Sequence, residues 1–175
     1  MRLFVALDVP KEVCDYLVSL QGLFPDVAGF VFPKSFHLTL KFLGDVSFER
    51  LEAIKKKLAG VEFQSFSLSL SKLGVFSSFK HVNVVWVGVV PEEPVIGLQK
   101  KISLALKDFV PVDDDFVPHL TLARVKFVKD KASLVSFIKS LHVKQLSFVV
   151  SGFRLYSSVL TPEGPVYNVE AVFPF

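Results

Sequence analysis

The tetrapeptide His-Leu-Thr-Leu occurs twice, as His37-Leu38-Thr39-Leu40 and His119-Leu120-Thr121-Leu122, 82 residues apart. Imidazole titrates near neutrality, so one histidine can remove a proton from a nucleophile while another delivers one to a leaving oxygen. One isolated copy would read as a polar stripe on a strand; two copies in two similar half-chains point to an acid/base pair. If each copy is a strand, alternation turns His37 and Thr39 to one face and sends Leu38 and Leu40 into the core. His119 and Thr121 repeat the pattern. The rise of a strand separates the two polar Cα atoms by roughly 6.5 Å, so that imidazole and hydroxyl can meet one small tetrahedral anion. Two such strands, facing each other about an approximate twofold axis, would offer four polar groups to a phosphate. Hydroxyl and guanidinium donors stabilise charge on phosphoryl oxygens without a metal, and Thr39, Thr121 and Arg124 are the candidates. Arg124 is out of phase with His119, so either the strand ends or twists before it, or its long side chain reaches around.

Other chemistries fit less well. Two histidines fall short of a zinc site, and no Cys, His or carboxylate cluster of suitable spacing accompanies them. Asp45 is the nearest acid, and the reading for it is a role in the loop capping a helix after Ser47. His81 and His142 lack a following hydroxyl and read as surface or boundary residues. Ser157-Ser158 has neither a nucleophile elbow nor a local base. Strand-end turns carry no Gly-rich phosphate loop, since Gly44 and Gly74 stand alone.

The elements that must position the two motifs repeat with them. A strand at 2–8, a helix at 11–20, the first motif, a helix at 47–59 and a strand near 62–71 form one unit. A strand at 82–90, a helix near 95–107, the second motif, a helix at 130–140 and a strand from near 144 form the other. In both, the helix begins about ten residues after the histidine and the preceding strand ends close to thirty residues before it. Extended segments at 153–160 and 165–173 flank Thr161-Pro162-Glu163-Gly164-Pro165, a turn between antiparallel strands. The expected fold is α+β, bilobal and duplicated, with two antiparallel sheets and outer helices flanking a central cleft. Residues 1–175 then make a single domain of two pseudo-symmetric lobes, with approximate repeats 1–75 and 80–160 and strand exchange near the termini.

Composition sets the remaining bounds. The 175 residues suffice for one well-cored domain, and 51% hydrophobic against 21% charged residues argues against global disorder. Nineteen Phe serve mainly as core filling, with a few free to face a ligand. Apolar runs such as 82–90 fall far below the roughly 20 residues of a membrane span. The N-terminal segment meets Asp8 too early for a signal peptide, which predicts a cytoplasmic protein. Cys14 is the only cysteine and reads as a packed helix position. A net charge of +3 would help an anionic substrate approach, while Lys55, Lys56 and Lys57 read as a solvated helix face or an RNA contact.

Across nearly its whole length the chain resembles the two-histidine phosphoesterase superfamily, and within it the LigT-like RNA 2′,3′-cyclic phosphodiesterases, also called 2′-5′ RNA ligases. The resemblance rests on Arg2-Leu3-Phe4-Val5-Ala6-Leu7, His37 to Gly44 and His119 to Arg124. Further marks are Leu73-Gly74-Val75-Phe76, Val85-Trp86-Val87-Gly88-Val89, Leu155-Tyr156-Ser157-Ser158 and Gly164-Pro165-Val166-Tyr167. It implies hydrolysis of a terminal 2′,3′-cyclic phosphate to a 2′-phosphate, without metal or other cofactor, and a minor reverse 2′-5′ joining. By similarity His37 is the general acid, His119 the general base, and Thr39, Thr121 and Arg124 hold the phosphate. Phe42 corresponds to an aromatic near the terminal base, and ordinary core packing stays equally open for it. The expected partner is RNA with a 2′,3′-cyclic phosphate end, tRNA fragments included, met by a monomer away from any membrane. The same central residues would serve another small cyclic nucleotide or a tRNA-splicing product. A non-catalytic RNA-end binder would not require two matched proton-transfer groups.

Overall fold

The computed structural model describes residues 1–112, 115–162 and 164–175. In chain order the elements are β1 (Arg2–Asp8), α1 (Lys11–Gln21), β2 (Ala28–Val31), β3 (His37–Asp45), α2 (Leu51–Ala59), β4 (Phe66–Ser78), β5 (His81–Val90), α3 (Glu93–Ala105), β6 (His119–Val128), α4 (Lys131–Ser140), β7 (Ser147–Val150), β8 (Gly152–Thr161) and β9 (Gly164–Pro174). A 3-10 turn at Phe48–Arg50 leads into α2.

Each helix buries the stripe its spacing prescribes: Val13, Leu17 and Leu20 in α1, Leu51, Ile54 and Leu58 in α2. Pro94 opens α3, and Asp130 caps α4 by accepting a hydrogen bond from the Ser133 backbone N–H at 3.1 Å. The cap expected of Asp45 does not form. Asp45 is the last residue of β3, its carboxylate lies 3.8 Å from the Arg2 guanidinium, and the helical turn after Ser47 has no side-chain cap.

Two antiparallel sheets result, in strand orders β3-β1-β8-β9 and β2-β6-β5-β4-β7. The two half-chains trade strands: β4 follows the first motif yet pairs with β5, and β8 follows the second yet pairs with β1. Helices cross over as well, with α3 packed on β3 and α1 on β6, and the motif strands β3 and β6 approach each other. One large apolar core runs through both sheets, from Leu3, Leu38 and Leu155 to Val87, Leu120 and Phe148. A smaller one joins Val85 and Ala123 to Leu134 and Ile138 of α4.

Three elements differ from expectation. β2 has four residues and includes Gly29, where a Cβ would lie 2.4 Å from the Phe127 ring; so short a strand leaves no alternation to read. β4 starts later than expected because Phe63 packs edge-on against Phe66, at 5.7 Å between centroids, instead of joining a ladder. β7 starts late because the Lys144 N–H donates to the Tyr16 hydroxyl at 2.8 Å, not to a strand. The turn between β8 and β9 falls where expected, with Gly164 at φ 119°, while Glu163 lies outside the described residues. No helix of the described residues is long and apolar enough to cross a membrane.

Candidate active site

Both motifs are strand starts with the same defect three residues later. On the first sheet Asp8 opposes His37, Ala6 opposes Thr39 and Val5 opposes Lys41, so Leu40 has no partner. On the second, Gly88 opposes His119, Trp86 opposes Thr121 and Val85 opposes Ala123, so Leu122 has none. Each is a bulge, and each moves the pleat by one residue. Strict alternation would have left Lys41 and Ala123 beside the threonines. Instead both are buried, the Lys41 ammonium donating to the Pro111 carbonyl, and Phe42 and Arg124 come round to the face of the histidines. The phase problem at Arg124 is thus removed by a bulge, not by a strand end or a bent side chain. Phe42 and Arg124 occupy the same place in the two lobes.

On that face His37, Thr39, His119 and Thr121 are half-buried and Arg124 is exposed. Phe42 is 70% exposed, which excludes the core reading. A cavity of about 440 Å³ joins the lobes, with Thr39 and Phe42 from β3 on one wall and Phe76, Phe116 and His119 on the other. His81 and His142 lie exposed on the surface, Lys55 and Lys57 pair with Glu52 and Asp108, and Cys14 donates to the Val9 carbonyl at 3.4 Å.

Aromatic rings hold both imidazoles. Phe4 lies 4.9 Å from His37 between centroids, and Tyr167 meets it edge-on at 5.1 Å. Phe76 meets His119 edge-on at 4.9 Å and Trp86 stands 5.9 Å away. Gly74 makes room for that indole, since a Cβ there would fall 2.2 Å from it. His119 Nδ1 lies 2.7 Å from the Val117 carbonyl oxygen. A carbonyl only accepts, so Nδ1 carries the proton and Nε2 keeps its lone pair for the cleft.

Burial disfavours the charged imidazole and, with the Arg124 charge nearby, pushes His37 down to about 4, Asp8 opposing the fall. His119 is lowered by the same burial and by Arg124, partly offset by its bond to Val117. Charges on β6 therefore act on a histidine of β3: the two motifs face one another. The Tyr156 hydroxyl, which donates to Asp8, is pushed up to about 12 by burial and that hydrogen bond. Among the described residues no group of three or more His, Cys, Asp or Glu stands close enough to hold a metal ion.

Asp8, Arg154 and the ring partners Phe4, Tyr156 and Tyr167 had no assigned role in the sequence reading. One signal was present: Phe4, Ala6 and Asp8 alternate with the core residues Leu3, Val5 and Leu7, which puts an acid at the cleft end of an apolar strand.

Residues 7–86 and 87–167 each match the family model described as LigT like Phosphoesterase. An RNA 2′,3′-cyclic phosphodiesterase of Archaeoglobus fulgidus is 36% identical, with 99% of each chain covered. A crystal structure from Thermus thermophilus superposes with a TM-score of 0.77 at 30% identity, covering 99% of this chain and 97% of that one. Apo LigT of Escherichia coli gives a TM-score of 0.76 at 26% identity, covering 99% and 96%.

Proposed function

The chain belongs to the LigT-like phosphoesterase family, and from that premise we propose that it hydrolyses the 2′,3′-cyclic phosphate at the end of an RNA. The observation that carries the reading is the pair of matched imidazoles, His37 and His119, on facing strands with Arg124 acting on both. Relatives such as the Archaeoglobus fulgidus protein carry the name of that activity.

In the proposed reaction a water oxygen attacks phosphorus in line with the 3′ oxygen. His119 Nε2 takes the water proton, the bond from phosphorus to the 3′ oxygen breaks, and His37 protonates that oxygen. The phosphate stays on the 2′ oxygen. Thr39, Thr121 and Arg124 donate to the non-bridging oxygens, where negative charge grows. Phe42, exposed beside Thr39, gives the terminal base a ring to stack on. A 5′-hydroxyl RNA in place of water would give a 2′-5′ bond by the same path.

Because each sheet draws strands from both half-chains, we read 1–175 as one domain of two lobes, with repeats 1–75 and 80–160. We also read it as a cytoplasmic monomer acting on RNA ends, including tRNA fragments, a reading supported by both motifs coming from one chain. The deciding experiment uses an oligoribonucleotide with a 2′,3′-cyclic phosphate end, after exhaustive chelation, with the product phosphate located. A 2′-phosphate is expected, formed faster than from a cyclic mononucleotide. A 3′-phosphate would exchange the leaving group, and activity that vanishes on chelation and returns with one added metal would overturn metal-free catalysis.

A further inference from the structure

The two motifs are identical over four residues, so nothing within His-Leu-Thr-Leu says which imidazole gives a proton and which takes one. The neighbouring strands are not identical. The residue opposite His119 on β5 is Gly88, and the residue opposite His37 on β1 is Asp8. Asp8 is also held in place: its Oδ1 accepts the Tyr156 hydroxyl and its Oδ2 lies 2.7 Å from Arg154 Nε. Tyr156 in turn stacks on Phe4 at 5.2 Å, and Phe4 packs on His37.

We propose that Asp8 is a positioning residue that favours His37 as the proton donor of the pair by supporting its charged form, and that Gly88, its counterpart in the other lobe, gives His119 no such support. This deepens the phosphodiesterase reading and rests on it. A carboxylate favours the imidazolium beside it, whereas the neutral Val117 carbonyl fixes the tautomer of His119 without supplying a charge. The groups facing His37 are Asp8 from β1, Arg124 and His119 from β6, Tyr156 from β8 and Tyr167 from β9. Burial most of all, and then Arg124 and His119, oppose protonation of His37, and Asp8 is the acid among these groups that favours it. Arg154 pairs with Asp8 and so tempers the charge that Asp8 presents to His37.

Asp8→Asn keeps an oxygen for the Tyr156 hydroxyl and removes the charge. It should lower kcat on the RNA cyclic phosphate by about tenfold or more, a part of what general acid catalysis supplies. On the same RNA with sulfur as the 3′ bridging atom, the rate should change little, because a thiolate leaves without being protonated. The limb of the pH profile that follows the titration of His37 should move to lower pH on the oxygen substrate. Arg154→Gln should move it the opposite way, an outcome no loss of packing predicts. Equal losses on both substrates, or limbs that stay where they are, would overturn the proposal.

A readout without substrate separates this proposal from the reading beneath it. The His37 ring proton, followed by NMR with and without inorganic phosphate, should titrate at lower pH in Asp8→Asn and at higher pH in Arg154→Gln. Unchanged midpoints overturn the role of Asp8 even if the RNA is cleaved. Wild-type protein that leaves the RNA intact overturns the phosphodiesterase reading, while the midpoints still decide what Asp8 does to His37.

Discussion

His37 and His119 are half-buried at the starts of β3 and β6, each followed by a buried leucine and packed against aromatic rings, so removing an imidazole deletes the proposed proton-transfer group and some ring contact while the leucine core stays. His37→Ala or His119→Ala should therefore lower turnover by about 10²–10⁴-fold while unfolding stays cooperative. Near-normal turnover in either purified variant would remove the two-histidine mechanism. Thr39→Val and Thr121→Val preserve shape and delete one donor each, so smaller losses are expected; two unchanged rates would mean that the wrong face was assigned. The pH dependence has a definite sign. In the free protein burial lowers both imidazoles, His37 to about 4, so kcat/KM should peak below pH 6.5. A bound phosphodiester anion beside Arg124 favours the charged imidazole, so the limbs of kcat should lie at higher pH than those of kcat/KM. Profiles centred above neutrality for kcat/KM would contradict this. The same burial acts on stability: between pH 6.5 and 4 the unfolded chain binds a proton that folded His37 refuses. Stability is thus intact above 6.5 and falls as the pH drops toward 4, by on the order of 3 kcal/mol when complete. Urea unfolding at pH 7 and pH 4.5 should show a smaller loss in His37→Asn than in wild type.

At the scale of elements, what could be read in advance was whatever depends on local periodicity. The helices at 11–20 and 130–140 and the strands at 2–8 and 82–90 lie within a residue or two of Lys11–Gln21, Lys131–Ser140, Arg2–Asp8 and His81–Val90. What could not be read depends on pairing between distant strands. The bulges at Leu40 and Leu122 exist only in the register with β1 and β5, and they decide that Phe42 and Arg124, not Lys41 and Ala123, reach the cleft. The pairing of Asp8 with His37 was hidden for the same reason. A bulged residue leaves backbone groups without a ladder partner. For Leu122 the carbonyl is taken by Gln21 Nε2 at 3.1 Å, at the end of α1, which also donates to Pro33 at 3.1 Å. Gln21→Leu should loosen the bulge and let Arg124 drift, raising KM for the cyclic phosphate several-fold with a smaller change in kcat, while Gln21→Glu, which cannot donate, should behave alike. Kinetics indistinguishable from wild type in both variants would show that the bulge holds its place without Gln21.

At the scale of the molecule, the duplication visible in the motifs does not divide the chain into two self-sufficient pieces. Cut between β4 and β5, the first half would keep β1 and β3 but lose β8 and β9 from that sheet, while β4 would lose both its neighbours, β5 and β7. The second half would have β8 and β9 paired to each other and no β1 to join. The large core is likewise shared, with Leu3, Leu38 and Leu58 packed in one cluster with Leu120, Leu122 and Leu155. Each leucine left exposed by the cut forfeits about 1.5–3 kcal/mol of burial, and a few of these equal the whole net stability of a small domain. Residues 1–80 and 81–175, expressed separately, should therefore be unfolded by circular dichroism and inactive. Mixed together, they should regain structure and phosphodiesterase activity in proportion to their concentration, because the missing strands are then supplied in trans. His37 is in one piece and His119 in the other, so activity can return only through a cleft built from both. A fragment that folds cooperatively alone would show that the exchanged strands are dispensable, and that the two lobes are held together by less than the pairing of β1 with β8 and β5 with β4 implies.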